Sequence, residues 1–308
     1  MKKKILFIIN PISGVGRHKT VEKLIDEKLD RTIYDYELAY TKAAKHAIDL
    51  SKKSVAENFN IVVAVGGDGS VNEVGRSLVG TDSALAILPC GSGNGTARHL
   101  NISMNLSKAM QIINKGNTIK IDTFNVNDET AINTAGIGYA AHIAYEFSKI
   151  KKRGFSNYLK IAVCDSLKYR SQICEIDAHP QPLPLVGEPS SANPPQWGGH
   201  RRGFFFIIDI ANGSQWGNNA VIAPHAKNDD GLLDLCIVRD FPFRMFPLMA
   251  LRLFTRSIHR SKFVEILKVK EVIIRQERDY AHIDGEPVII GKELKVKVNP
   301  LSLKVVVP

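Results

Sequence analysis

The sequence predicts an α/β fold followed by a β domain, and three observations carry that reading. In the first part of the chain, apolar β-branched runs alternate with segments of helical periodicity, the mark of a parallel sheet wrapped by helices. Three glycine-bearing loops there directly follow strand-like runs, so they gather at the carboxyl edge of such a sheet, where ligands bind. From about Asp122 onward the pattern changes to short β-type runs bounded by turn residues, which reads as a mostly antiparallel β domain, a sandwich or similar.

Residues 4–10 form the first buried strand. The lysines ahead of it resemble the start of a signal peptide, but the apolar run is too short and Asn10-Pro11 stands where small cleavage-site residues belong. A helix over 19–29 follows, with Val21, Leu24, Ile25 and Leu29 at helical spacing. Residues 34–40 alternate like a strand, and Thr41 is the expected cap of a helix over 43–57. The run 61–65 is apolar without alternation, hence a strand buried on both faces.

Gly66-Gly67-Asp68-Gly69 then breaks that strand. Glycine tolerates positive φ and lets a ligand approach bare backbone. Ser70 is the expected N-cap, with Glu73 three residues on, of a helix over 71–78. Strand, glycine turn and helix start make a nest of amide N–H groups at a positive helix end, which suits phosphate. Asp68 inside that nest repels an anion unless Mg2+ bridges the two or the carboxyl takes a proton, so the combination points to a nucleoside triphosphate with metal. Taken alone, the stretch also reads as an ordinary βα turn.

Residues 84–88 are another strand, ending in Pro89-Cys90-Gly91-Ser92-Gly93-Asn94-Gly95. No loop matches GxGxxG or GxxxxGK[ST], which excludes the dinucleotide fingerprint and the P-loop. The β-type runs beyond are 123–126, 129–133, 173–178, 204–210, 220–223, 233–238, 263–269, 271–275 and 294–298. Between them, 180–202 is rich in Pro, Gly and Ser and reads as a mobile surface loop.

The chain has 308 residues, 44% hydrophobic and 23% charged, ordinary for a globular protein of two domains. It holds no apolar run of about eighteen residues, so no helix spans a bilayer. Four scattered cysteines without a CxxC pair argue against a zinc site or a disulfide framework and fit a reducing cytoplasm. Net charge is 41 − 31 = +10, which suits anionic partners. Two basic stretches stand out: 149–153, and 241–263, where Phe243, Phe246, Leu248, Leu251 and Phe254 mix with Arg244, Arg252, Arg256, Arg260 and Lys262. The second reads either as an amphipathic helix on an anionic membrane or as a core-packing helix with a basic edge.

Asn10-Pro11-x-Ser13-Gly14, Gly66-Gly67-Asp68-Gly69-Ser70-x-Asn72-Glu73, Pro89-x-Gly91-Ser92-Gly93-Asn94, Asn212-Gly213-Ser214, Asp229-Asp230-Gly231-Leu232 and Asp284-Gly285-Glu286 occur in this order over nearly the full chain. Together they resemble the diacylglycerol kinase catalytic family, which also holds the sphingosine kinases. The resemblance implies a Rossmann-like α/β nucleotide-binding domain, residues 1–122, rejoined by 291–308. A β-sandwich lipid domain, residues 123–290, would complete the architecture, with the active cleft between the two. It implies that ATP with Mg2+ is held by Asn10, Ser13, Gly14, Thr41, Gly66, Gly67, Asp68, Gly69, Ser70, Val71, Asn72, Glu73, Gly91, Ser92 and Asn94. Glu286 corresponds to the general base, with Asp284 and Asp68 as further catalytic carboxylates, and either Glu286 or Asp68 is left able to serve as base. In bacterial members a structural Mg2+ sits in the Asp-Asp-Gly-Leu loop, matching backbone oxygens of Lys227 and Leu232 and the side chain of Asp230. The same loop also reads as a hairpin turn without an ion.

The third motif departs from the usual bacterial GTxND: this chain reads Gly91-Ser92-Gly93-Asn94-Gly95, which leaves the acceptor lipid open among diacylglycerol, phosphatidylglycerol and sphingoid types. The nucleoside of the triphosphate is likewise open. The implied partners are a lipid substrate and, peripherally, an anionic inner membrane face. Nucleic acid is not among them, and a homodimer is allowed. Two alternatives stand beside the lipid kinase. A NAD-kinase-like phosphotransferase shares the Gly-Gly-Asp-Gly turn, but Asn-Pro-x-Ser-Gly and Asp-Gly-Glu count against it. A non-catalytic nucleotide- or lipid-binding regulator is opposed by the intact Asp68, Asp284 and Glu286.

Overall fold

The computed structural model describes residues 2–13, 18–149, 161–179 and 199–308. In the first part, strands β1 (Lys3–Ile9), β2 (Tyr34–Tyr40), β3 (Ile61–Gly66) and β4 (Ala84–Pro89) lie parallel in the order β2-β1-β3-β4. Helices α1 (His18–Lys28), α2 (His46–Ala56), α3 (Asp68–Arg76), α4 (Gly95–His99) and α5 (Leu106–Lys115) alternate with them. All residues of β3 and β4 are buried, which is why their sequences run apolar without alternation. The second part contains β5 (Thr118–Val126), β6 (Glu129–Ala131), β7 (Thr134–Gly138), α6 (Tyr139–Ser148), β8 (Gln172–Ala178), β9 (Gly199–Ala211), β10 (Gln215–Gly217), β11 (Ala220–Val221), β12 (Leu233–Arg239), α7 (Phe246–Phe254), β13 (Val264–Val269), β14 (Glu271–Gln276), β15 (Tyr280–Ile283), β16 (Glu286–Ile289) and β17 (Glu293–Val306).

The two parts share hydrogen-bonded strands. The main path runs β16-β15-β7-β9-β8-β14-β17-β4-β3-β1-β2, with β12 added on β9, β13 on β12, β5 on β17 and β6 on β5. The joint is β17. Its residues Val296–Asn299 pair with β5 at Val126–Thr123, the register then shifts, and Leu303–Val306 pair with Ile121–Thr118 while Val305 lies parallel to Leu85 of β4. Ile121, Leu303, Val305 and Val306 accordingly belong to the core around Phe7, Val63 and Leu85. Phe124, Val126, Leu294, Val296 and Val298 belong to a second core with Ile208, Ile210 and Leu235. Because side chains alternate along a strand, Ile207 and Ala211 of β9 face away from that core. They join a third apolar layer with Tyr139 and Ile143 of α6 and Met249 of α7.

Several local expectations are corrected. Helix α3 begins at Asp68 with Gly67 as its N-cap, so Ser70 lies in the first turn and caps nothing. Helix α2 begins at His46 rather than after Thr41, and its cap comes from another element. The Glu73 carboxylate of α3 accepts the N–H groups of Lys45 (2.9 Å) and Ala47 (3.3 Å). Gly199–Arg202, assigned to a loop, are strand β9 paired with β8, and the rest of that insertion lies outside the described residues. So do Ile150, Lys151, Lys152 and Arg153 of the first basic stretch. Helices α5 and α6 and strands β7, β15 and β16 had no counterpart in the sequence reading. Helix α5 nonetheless carries local signals: Asn105 caps it by accepting the Lys108 N–H (3.2 Å), and Gly116 ends it at φ 65°.

Candidate active site

Parallel pairing brings the carboxyl ends of β1, β2, β3 and β4 to one edge, and the glycine loops meet there. Asn10, just past β1, donates from Nδ2 to Ser70 Oγ (3.3 Å), while its Oδ1 accepts the Ile12 N–H (3.1 Å). Ser13 Oγ lies 3.5 Å from where a Cβ on Gly66 would stand, and that Cβ would collide with Ser70 Oγ. Thr41 continues β2 by donating its N–H to Ile9 (2.9 Å). Gly14 lies outside the described residues. The second and third loops touch backbone to backbone, since a Cβ on Gly91 would run into Gly67 Cα. Asn94, at φ 52°, ties the third loop to itself through Nδ2 on the Gly91 carbonyl (2.8 Å), while Ser92 is exposed.

Three carboxylates converge on the first turn of α3. Asp68 Oδ1 accepts the Thr96 N–H (3.2 Å) at the start of α4, and its Oδ2 faces the bare Cα of Gly93, where an added Cβ would stand 3.0 Å away. Burial raises its carboxyl to about 6, opposed by amide hydrogen bonds from Gly95, Thr96 and Asn94 and reinforced by the neighbouring Asp284. Glu286 arrives from the other half of the molecule and lies against the bare face of Gly69, where an added Cβ would stand 3.0 Å from its Oε1. Glu286 itself is exposed.

Asp284 was expected among the catalytic carboxylates, but its geometry is that of a clamp. It is buried at φ 48°. Its Oδ1 accepts the N–H groups of Asn133 (2.8 Å) and Thr134 (2.9 Å), and its Oδ2 accepts those of Ile132 (3.0 Å) and Asn72 Nδ2 (2.6 Å). Desolvation still leaves its carboxyl above the ordinary value despite these donors. With four donors on it, Asp284 locks the β6–β7 turn and α3 to the turn that carries Glu286.

The nucleotide-binding set divides similarly. The side chain of Val71 is buried in the first core, Asn72 also donates to the Thr130 carbonyl (3.0 Å), and Glu73 caps α2. Of these three, the side chains are structural and only backbone remains for a ligand. Further residues shape the site without a motif to mark them. Hairpin β10–β11 packs on the third loop, with Gly217 against Gly93 and an isolated bridge from Asn94 to Gly217. Gly95, where bacterial relatives were expected to carry an acid, has no room for one: a Cβ would meet the Gln215 carbonyl at 2.8 Å and Asn133 Nδ2 at 2.9 Å. Arg98 overhangs the loop, its Nε donating to the Gly93 carbonyl (3.2 Å). An arginine and a histidine, His99, directly after a glycine loop were the available sequence signals.

The loop expected to hold a structural Mg2+ does not suit one. Asp230 Oδ1 accepts the Leu232 N–H (3.0 Å) and Oδ2 accepts Lys268 Nζ (3.0 Å), which also bonds Asp234 Oδ2 (2.9 Å). The register pairs Asp234 with Lys268, so the ammonium is delivered by the strands themselves. A divalent ion on the same carboxylate would face that ammonium. Asp230 and Asp234 thus already share the Lys268 ammonium. The loop's shape comes from elsewhere: Asp122 accepts the N–H groups of Gly231 and Leu301, both at 2.7 Å.

Residues 4–126 match the family model described as the diacylglycerol kinase catalytic domain, and residues 135–307 match the YegS C-terminal NAD kinase beta sandwich-like domain. Among curated proteins, the chain is 30% identical over 254 residues to a probable lipid kinase YegS of Salmonella arizonae, spanning 80% of this chain and 78% of the relative. It is 26% identical over 304 residues to a diacylglycerol kinase of Bacillus subtilis, spanning 96% and 86%. Among solved structures, a diacylglycerol kinase from Bacillus anthracis shares the fold with a TM-score of 0.70 at 18% identity, covering 99% of this chain and 97% of that one.

Proposed function

The chain belongs to the family of YegS-like and diacylglycerol-kinase lipid kinases, and from that premise we propose that it transfers the γ-phosphoryl group of ATP to a hydroxyl of a membrane lipid. The observation that carries this reading is the meeting of Glu286, from the second half, with the Gly69 turn and Asp68, from the first. In this reading the amides of Gly66 to Ser70, with Asn10, Ser13, Thr41, Gly91 and Ser92 around them, cradle the phosphates. Asp68 fits a metal–nucleotide complex, because its Oδ2 looks onto the bare face of Gly93. Mg2+ bound with the nucleotide would neutralise the oxygens of the transferring group.

Glu286 is the base: an exposed carboxylate, it accepts the proton of the lipid hydroxyl as that oxygen bonds to the γ-phosphorus. The bond to the β–γ bridging oxygen breaks and ADP leaves with that electron pair. Asp284 fixes where Glu286 stands. Radiolabelled ATP offered with diacylglycerol, phosphatidylglycerol, a sphingoid base, ceramide and NAD tests the reading. Label in one lipid class supports it and identifies the acceptor, label in NAD alone favours a NAD-kinase-like activity, and label nowhere overturns catalysis.

The membrane contact belongs to α7 and its flanks. Met249 is buried in the third layer, while Phe243 (52% exposed) and Leu251 (57% exposed), with Leu248 and Phe254, stand out among Arg244, Arg252 and Arg256. Apolar side chains ringed by arginines suit insertion at an anionic bilayer surface.

A further inference from the structure

Asp209 of β9 has no exposed surface, and it lies in the third apolar layer, on the strand face it shares with Ile207 and Ala211. A carboxylate there is costly unless it is fully hydrogen-bonded. Two donors meet it: Trp216 Nε1 on Oδ2 and His282 Nε2 on Oδ1, each at 2.8 Å. Indole can only donate, and a carboxylate can only accept, so the imidazole presents its Nε2 proton to Asp209. Its Nδ1 is buried and has no hydrogen-bond partner among the described residues.

The three strands behind this arrangement lie in one row. Asp209 of β9 pairs with Gly136 of β7, and Gly136 pairs with His282 of β15. The bond from Asp209 to His282 therefore passes across an intervening strand, and it does so over a residue with no side chain. A Cβ on Gly136 would collide with Asp209 Oδ1. The two donors lead to opposite walls of the cleft. His282 precedes Asp284 and Glu286 on the same strand and turn, whereas Trp216 adjoins Gly217, which packs on Gly93 beside Asp68.

We propose that Asp209 is a positioning residue that sets the distance between Glu286 and the third glycine loop, acting through His282 on one side and Trp216 on the other. The proposal rests on the kinase reading, in which those two walls hold the base and the phosphates. Wild-type transfer of label to lipid, measured first, tests that reading by itself. Asp209→Asn turns one acceptor into a donor, and His282→Leu removes the proton bonded to Oδ1. Both are expected to lower kcat about 10- to 100-fold, as displacements near 1 Å do. His282→Gln keeps an N–H at that place and should recover most of the loss.

Placed in a Glu286→Gln background, Asp209→Asn should cost little more, because a base that is absent cannot be misplaced. Independently of turnover, the Trp216 indole N–H should be slow to exchange in the wild type and fast in Asp209→Asn. Full activity of His282→Leu, losses that multiply with that of Glu286→Gln, or an indole proton that exchanges fast in the wild type would each overturn the proposal.

Discussion

Replacing Asp68 by asparagine should stabilise the nucleotide-free protein while removing its activity. The magnitude follows from the raised carboxyl, which stands at about 6 in the folded protein against 3.8 in the unfolded chain. At about 1.36 kcal/mol per unit, keeping it ionised costs the fold about 3 kcal/mol at neutral pH. Asparagine removes that cost and keeps one oxygen for the Thr96 N–H. The hydrogen bonds that Gly95 and Asn94 make to the carboxylate offset part of that gain.

The sign has a pH signature. Between 3.8 and about 6 the unfolded chain has released this proton while the folded protein still holds it, so the wild type loses stability as pH rises and then levels off. The advantage of Asp68→Asn should therefore be present at pH 8, shrink as pH falls through 6, and be gone or reversed at pH 4. Urea denaturation of both proteins without nucleotide at pH 8, 6 and 4 measures this, alongside turnover at pH 8. A variant less stable than the wild type at pH 8, or a difference independent of pH, would refute the reasoning.

Other consequences are equally direct. Glu286→Gln should lower kcat about 10²- to 10⁴-fold in the lipid assay and leave the denaturation midpoint unmoved, because the side chain is exposed. Asp284→Ala strands four donors in the interior and should cost about 3–5 kcal/mol in urea denaturation, with turnover lost in whatever remains folded. Chelator should leave the Tm of the nucleotide-free protein unchanged, whereas Lys268→Met should destabilise it by about 3–5 kcal/mol by leaving Asp230 and Asp234 without their cation. Arg252→Glu with Arg256→Glu should abolish sedimentation with phosphatidylglycerol vesicles and leave ATP binding intact; vesicle binding that ignores both the variant and the lipid charge removes the α7 assignment.

The alternation of strands and helices up to the end of β4 was legible because each signal there is local. Five apolar residues before Gly66, or the alternation over 34–40, need no distant partner to be read. Helices α5 and α6 carried less regular patterns, although the Asn105 cap and the Gly116 stop were present in the sequence. The helix starts at α2 and α3 were misplaced for a different reason. Glu73 looked like half of a capping box for its own helix, yet it caps α2, a choice that depends on how the two helices pack.

Residue type and order alone determined that glycine loops end parallel strands, that Asp68 stands in one of them, and that Asp284-Gly285-Glu286 lies far along the chain. Sequence could not divide the labour between those carboxylates, since a carboxylate's role depends on which donors surround it. Tertiary structure gave Asp284 four N–H groups and made it a clamp, laid Glu286 against Gly69, and put Lys268 where a metal had been expected. It also made β17 a strand of both halves, which no periodicity reveals, because pairing between residues about 180 positions apart is chosen only when both cores close together.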